Sequence, residues 1–130
     1  MVGEFAFRPQ RFPLRYTRAT MPVDVKEKLR AVTHDLGSQA RVARALGVSP
    51  SRVSRWLNGE QPDPENRRKL EGLEFVLARL SMMYTPRVAW DWLHGMNPFL
   101  HDNRPIDVLS RGRVTDVLEA IDADEAGSYA

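Results

Sequence analysis

Catalysis by side chains needs a nucleophile, a metal-binding cluster, an acid–base pair or a loop that cradles phosphate. The 130-residue sequence has no cysteine, which removes thiol nucleophiles, thiolate metal sites and disulfides together. His34, His94 and His101 fall in no metal-ligand spacing, and no glycine-rich phosphate loop occurs. Asp124 and Glu125 are adjacent carboxylates, but nothing in the sequence positions a second catalytic group beside them. The chemistry that remains is recognition. Residues 39–58 read QARVARALGVSPSRVSRWLN, and Ser51, Arg52, Ser54 and Arg55 fall on one side of its second half. An arginine can grip guanine O6 and N7 bidentately in the major groove, while serines and a helix N-terminus suit phosphates or base edges. Gln39, Arg41 and Arg44 in the first half are placed to lie near a DNA backbone.

Such a display needs two short helices crossed at a tight turn. The crossing calls for a small residue, here Ala43, and the turn for one tolerant of positive φ, here Gly47. Val42, Leu46, Val48, Val53 and Trp56 are spaced to lock the pair together. The spacing therefore predicts a helix-turn-helix.

Charge divides the chain. Residues 1–69 carry 14 Lys/Arg against 7 Asp/Glu, and residues 70–130 carry 5 against 10. A basic half attracts a polyanion, whereas an acidic half is repelled by one and calls for a different partner. No apolar run approaches the roughly 18 residues of a membrane span, and the start lacks a hydrophobic signal core. The expectation is a cytoplasmic protein without cofactor or metal.

The elements follow from local signals. Residues 1–22 read as an extended basic arm, because Pro9, Pro13 and Pro22 interrupt any helix. Its Phe5, Phe7, Phe12, Leu14 and Tyr16 are more apolar than a solvated tail requires, so two readings stand side by side: part of the arm docks on a surface, or Met21 is the natural start and the residues before it come from an upstream initiation codon. From Val23 the chain reads as helical almost throughout. Val25, Leu29, Val32 and Leu36 mark a first helix stopped by Gly37. Ser38, Ser49, Asp63 and Thr85 are N-cap residues for four further helices, three of them opened by Pro50, Pro64 and Pro86. The helix after Asp63 runs to about Met83, with Leu70, Leu73, Leu77, Leu80 and Tyr84 on one stripe. Phe75 and Met82 project from the other side, so that side needs cover as well. Trp90 and Trp92 cannot share one face of the next helix, so one is expected in the core and the other at an interface. A short helix over Pro105 to Ser110 and a last one from Val114 to about Ala123 complete an all-α fold. Asp124 to Ala130 reads as a flexible acidic tail.

Two stretches carry a resemblance. VARALGVSPSRVSRWLNGEQ resembles the Xre-type helix-turn-helix of phage-repressor-like regulators, over roughly residues 24–62. Asn97-Pro98-Phe99-Leu100, then Arg104-Pro105-Ile106-Asp107-Val108-Leu109, Gly112, and the spaced Val114, Val117, Leu118 and Ile121 resemble the toxin-binding domain of the Xre/MbcA/ParS antitoxin family. Val108 and Leu109 stand where that family has a leucine pair, a conservative departure. The resemblance covers about residues 65–123, and the two motifs follow one another in the family's order.

The resemblance implies a type II antitoxin that silences a cognate RES-domain toxin, an enzyme that destroys NAD, and binds its own operator through the helix-turn-helix. It divides the chain into an arm (1–22), a DNA-binding region (23–62) and a toxin-binding domain with an acidic tail (63–130). Expected toxin contacts are Trp90, Asn97, Phe99, Leu100, Arg104, Pro105, Asp107, Asp124, Glu125 and Tyr129. The tail's carboxylates and Tyr129 complement the positive charge and flat surface that an NAD site must offer. A homodimer within a larger hetero-oligomer is the expected assembly. Competing readings are a stand-alone dimeric Xre-family repressor, an antitoxin of this family paired with a different toxin and, weakest, an enzyme built on Asp124 and Glu125.

Overall fold

The computed structural model describes residues 24–128, and the arm and Tyr129 lie outside them. Seven α-helices occur among these residues: α1 (Val25–Leu36), α2 (Gln39–Leu46), α3 (Pro50–Leu57), α4 (Pro64–Met83), α5 (Pro86–His94), α6 (Pro105–Ser110) and α7 (Val114–Ser128). A single 3-10 turn, Pro98–Leu100, lies between α5 and α6. The described residues form no strand, only one isolated bridge between Asn97 and Asn103. The fold is all-α, with an Xre-like helix-turn-helix in its N-terminal part.

Local chemistry starts and stops these helices. The side chains of Asp24, Ser38, Ser49 and Thr85 each accept a backbone N–H of the first turn that they cap. Asp63 caps differently: its carboxylate takes the Asn66 side-chain amide instead of a backbone N–H. That donor holds the Asp63 carboxyl below the usual carboxylate range. Gly37 closes α1 with φ of 103°, a left-handed cap that glycine adopts without a Cβ penalty.

Burial then assembles the helices. The core joins Leu29, Val32 and Leu36 of α1 to Val42 and Leu46 of α2, and Val53 and Trp56 of α3. It continues without a break through Leu70, Leu73, Val76 and Leu80 of α4 to Ile106, Leu109, Val117 and Ile121 near the C-terminus. Residues on both sides of Pro62 thus pack into one cluster. On α4 the fully buried position is Val76, while Leu77 is half-buried. At about 100° per residue, Leu70, Leu73, Val76 and Leu80 cover an arc of about 120°, so the buried face is broader than the 70–73–77–80 stripe and is shifted towards Val76. The opposite side of α4 stays open, with Phe75 53% and Met82 82% exposed.

The last helix runs further than its sequence pattern indicated. α7 continues through Asp124 and Glu125 to Ser128, so these carboxylates belong to a helix and not to a flexible tail. Three acids near a helix C-terminus oppose its dipole. The neighbouring helices offset this. Arg79 of α4 donates to Asp122 at 2.7 Å and Glu125 at 3.4 Å, and these carboxylates push its pKa up. The Trp92 indole N–H and the Tyr84 hydroxyl both donate to the Asp124 carboxylate. Burial, with Asp124 alongside, pushes the Tyr84 phenol above its ordinary value.

Candidate functional site

α2 and α3 cross at Ala43, which is 1% exposed, and the turn between them rests on Gly47 at φ of 71°. Val42, Leu46, Val53 and Trp56 are buried and Val48 half-buried, so the positions that had to lock the pair do so. On α3, Ser51, Arg52 and Arg55 face solvent and Ser54 is half-buried. The Arg55 guanidinium meets Glu60 at 3.2 Å, with both side chains about half exposed. A pair so exposed contributes about 1 kcal/mol or less, so it leaves Arg55 available to an incoming phosphate or base. The α3 N-terminus, with the Ser49 and Ser51 hydroxyls 3.1 Å apart, adds a cluster of polar groups at the same end.

The arginines of α2 face elsewhere. Arg41 donates through one terminal nitrogen to the Leu36 carbonyl at 3.0 Å, capping the C-terminus of α1, and lies 4.4 Å from the centre of the Trp90 ring. Arg44 reaches Asp107 of α6 at 3.4 Å. Gln39 is exposed at the start of α2. Two residues expected at DNA therefore touch two expected at a toxin, Trp90 and Asp107.

Further contacts tighten this seam. A methyl group built on Gly47 would run into the Ser110 carbonyl oxygen at the end of α6. The Lys69 ammonium of α4 donates to the Leu46 carbonyl at 3.2 Å and the Ser110 carbonyl at 3.3 Å. One cation thus satisfies the C-terminal ends of α2 and α6, where the helix dipoles place negative charge. No sequence signal pointed to Lys69, because the groups it binds lie 23 and 41 residues away.

The residues expected at a toxin interface separate into two sets. Asn97, Leu100 and Pro105 are buried. The Asn97 side chain accepts the Phe99 N–H, and its backbone carbonyl takes those of Leu100 and Asp102. These residues shape the loop before α6. That loop holds His101 and Asp102 at φ of 57° and 63°, left-handed values rare outside glycine. Phe99 and Arg104 face solvent, Trp90 and Asp107 are half-buried, and Tyr129 lies outside the described residues. Val88 and Met96, outside the motif that resembles the family, are exposed apolar side chains like Phe99. Neither tryptophan of α5 is wholly core: Trp90 packs on His94 with ring centres 4.0 Å apart, and Trp92 is held by Asp124.

Comparison with known proteins resolves the kinship. Residues 37–72 match the helix-turn-helix family model. Over 92 residues, 71% of this chain and 79% of the relative, the sequence is 35% identical to the probable mycobacterial cidal antitoxin Rv3188 of Mycobacterium tuberculosis. The chain belongs to the mycobacterial cidal antitoxin family. The antitoxin MbcA of Mycobacterium bovis is a further relative, 29% identical over 89 residues, which is 68% of this chain and 79% of MbcA. Among solved structures, the crystal structure of the M. tuberculosis MbcT–MbcA toxin–antitoxin complex contains a chain of the same fold. The match has a TM-score of 0.65 and 28% identity, and spans 81% of this chain and 97% of that one. For a mycobacterial cidal antitoxin of this build, the helix-turn-helix and the C-terminal helices form one body around one core. No helix among the described residues is long and apolar enough to cross a membrane.

Proposed function

We propose that this antitoxin binds and neutralises a cognate RES-domain, NAD-degrading toxin by covering its active site, and represses its own operon through α2 and α3. The observation that carries the reading is the shared fold with a chain of a toxin–antitoxin complex, extending over nearly the whole of that chain. The exposed side chains Phe99, Met96 and Val88, with Arg104 beside them in sequence, supply the toxin-facing anchors. Asn97, Leu100 and Pro105 hold that surface in shape from below, and Asp107 and Trp90 carry it to the seam with α2. Arg52, Arg55, Ser51 and Ser54 supply the operator contacts, with Gln39 at the backbone, while Arg41 and Arg44 act mainly in the seam. Regions 23–62 and 63–130 are functional divisions of one folding unit. The open side of α4 at Phe75 and Met82 is the surface for a homodimer within the larger hetero-oligomer. The protein works in the cytoplasm and itself catalyses nothing.

Co-expression with the product of the adjacent reading frame, with NAD measured in the cells, tests this reading. The neighbour alone should deplete NAD, and the pair should restore it and co-purify. No co-purifying neighbour and unchanged NAD would leave a stand-alone repressor. Co-purification without an effect on NAD would mean a toxin of another kind.

A further inference from the structure

A groove of about 550 Å³ opens between α1, α4 and α5; it shares Trp90 with the toxin-facing surface, and its α4 residues Glu74, Leu77, Ala78 and Ser81 lie next to the Phe75 and Met82 side of that helix. Its lining is mostly apolar, with Leu36, Leu77, Tyr84 and Trp90 among it, and also carries His34 and the carboxylates of Asp35 and Glu74. Those acids are 54% and 40% exposed, so both carboxylates are accessible from solvent. Apolar lining beside accessible carboxylates fits a segment that alternates aromatic and basic side chains.

We propose that this groove is the seat of the chain's own segment 5–18, FAFRPQRFPLRYTR. That segment holds Arg8, Arg11, Arg15 and Arg18 with no acidic residue among them, and Phe5, Phe7, Phe12, Leu14 and Tyr16. Pro9 and Pro13 lack a backbone N–H to give to a helix. In an extended chain, side chains alternate, so Phe12, Leu14 and Tyr16 fall on one side and Arg11 and Arg15 on the other. The first set suits the apolar lining and the second suits Asp35 and Glu74. Reach agrees as well. Glu74 pairs at 2.9 Å with Lys28, one helical turn from Asp24, where the described chain begins. The six residues from Arg18 to Asp24 span at most about 20 Å, enough to bring Arg18 and Arg15 to Glu74 and the aromatic residues beyond it.

Limited trypsin digestion of the full chain tests the proposal, because Arg11, Arg15 and Arg18 are cleavage sites inside the segment. Two variants release it by different routes. Ala78→Trp fills the groove from an exposed position on α4, and Phe12→Ser with Leu14→Ser weakens the segment without touching the core. The wild-type chain should be cut at these arginines at least tenfold more slowly than either variant, at a rate independent of protein concentration. Melting curves check that Ala78→Trp remains folded, and the segment variant decides the matter if it does not. Equal cutting rates in the wild type and the segment variant overturn the proposal. Protection that grows with protein concentration overturns it also, since the groove would then be taking the segment of another copy.

Discussion

Gly47→Ala probes the contact that joins the helix-turn-helix to the C-terminal helices. Two costs add at this position. The first is conformational: at φ of 71° a Cβ costs about 1–2 kcal/mol, whatever surrounds it. The second is steric, since that Cβ would strike the Ser110 carbonyl oxygen. The oxygen is backbone at the end of α6 and also accepts from Lys69, so relief requires α6 to shift and a charged hydrogen bond to stretch. Overpacking of this kind costs about 1–3 kcal/mol, giving roughly 2–5 kcal/mol in all. For a domain of this size that corresponds to a fall in Tm of order 10 °C or more. Gly47→Asn separates the two costs, because asparagine tolerates the left-handed region but still carries a Cβ. Thermal melts of both variants, followed by circular dichroism, should show both clearly destabilised. An asparagine variant within about 0.5 kcal/mol of wild type would refute the reasoning, leaving Gly47 a turn residue only and the seam slack.

Other outcomes follow from the same geometry. Arg52→Ala should weaken operator binding by about 1–3 kcal/mol in gel shifts, with the loss concentrated on particular bases, if the guanidinium reads guanine. Phe99→Ala should leave the melting temperature nearly unchanged but cost about 2 kcal/mol or more of toxin affinity by calorimetry, as truncation of an interface anchor does. Deleting residues 124–130 removes the acceptor of Trp92 and Tyr84 and one partner of Arg79, so it should lower the melting temperature as well as neutralisation. Tyr84 should titrate above the usual tyrosine range in an ultraviolet titration, and Tyr84→Phe should abolish that component. Because the folded value is raised, its stabilisation is complete below about pH 10 and is lost as pH climbs through the folded pKa.

Much of this fold was legible because its signals are local. A cap, a proline at the first helical position or a left-handed glycine acts within one turn of itself, so Ser38, Ser49, Thr85, Gly37 and Gly47 mark helix ends without reference to the rest of the chain. The spacing of Val42, Ala43, Leu46, Val53 and Trp56 likewise specifies the helix-turn-helix, since both helices and their turn fit within twenty residues. The end of α7 lies beyond the Ala123 that its spaced apolar residues indicate: Ala123 to Ala126 contains no helix breaker, and the acidic residues with Gly127 that read as a tail continue the helix to Ser128. The direction in which a long side chain turns belonged to the tertiary structure. From the sequence Arg41 and Arg44 read as DNA-backbone contacts, and only with α5 and α6 in place do they meet Trp90 and Asp107, 49 and 63 residues on. The same holds for Asn97 and Leu100, whose family motif does not distinguish a residue that touches a partner from one that shapes the loop beneath it. Periodicity and capping report on neighbours along the chain. Which groups from distant helices meet depends on how the helices settle around one core, and only the packed structure decides it.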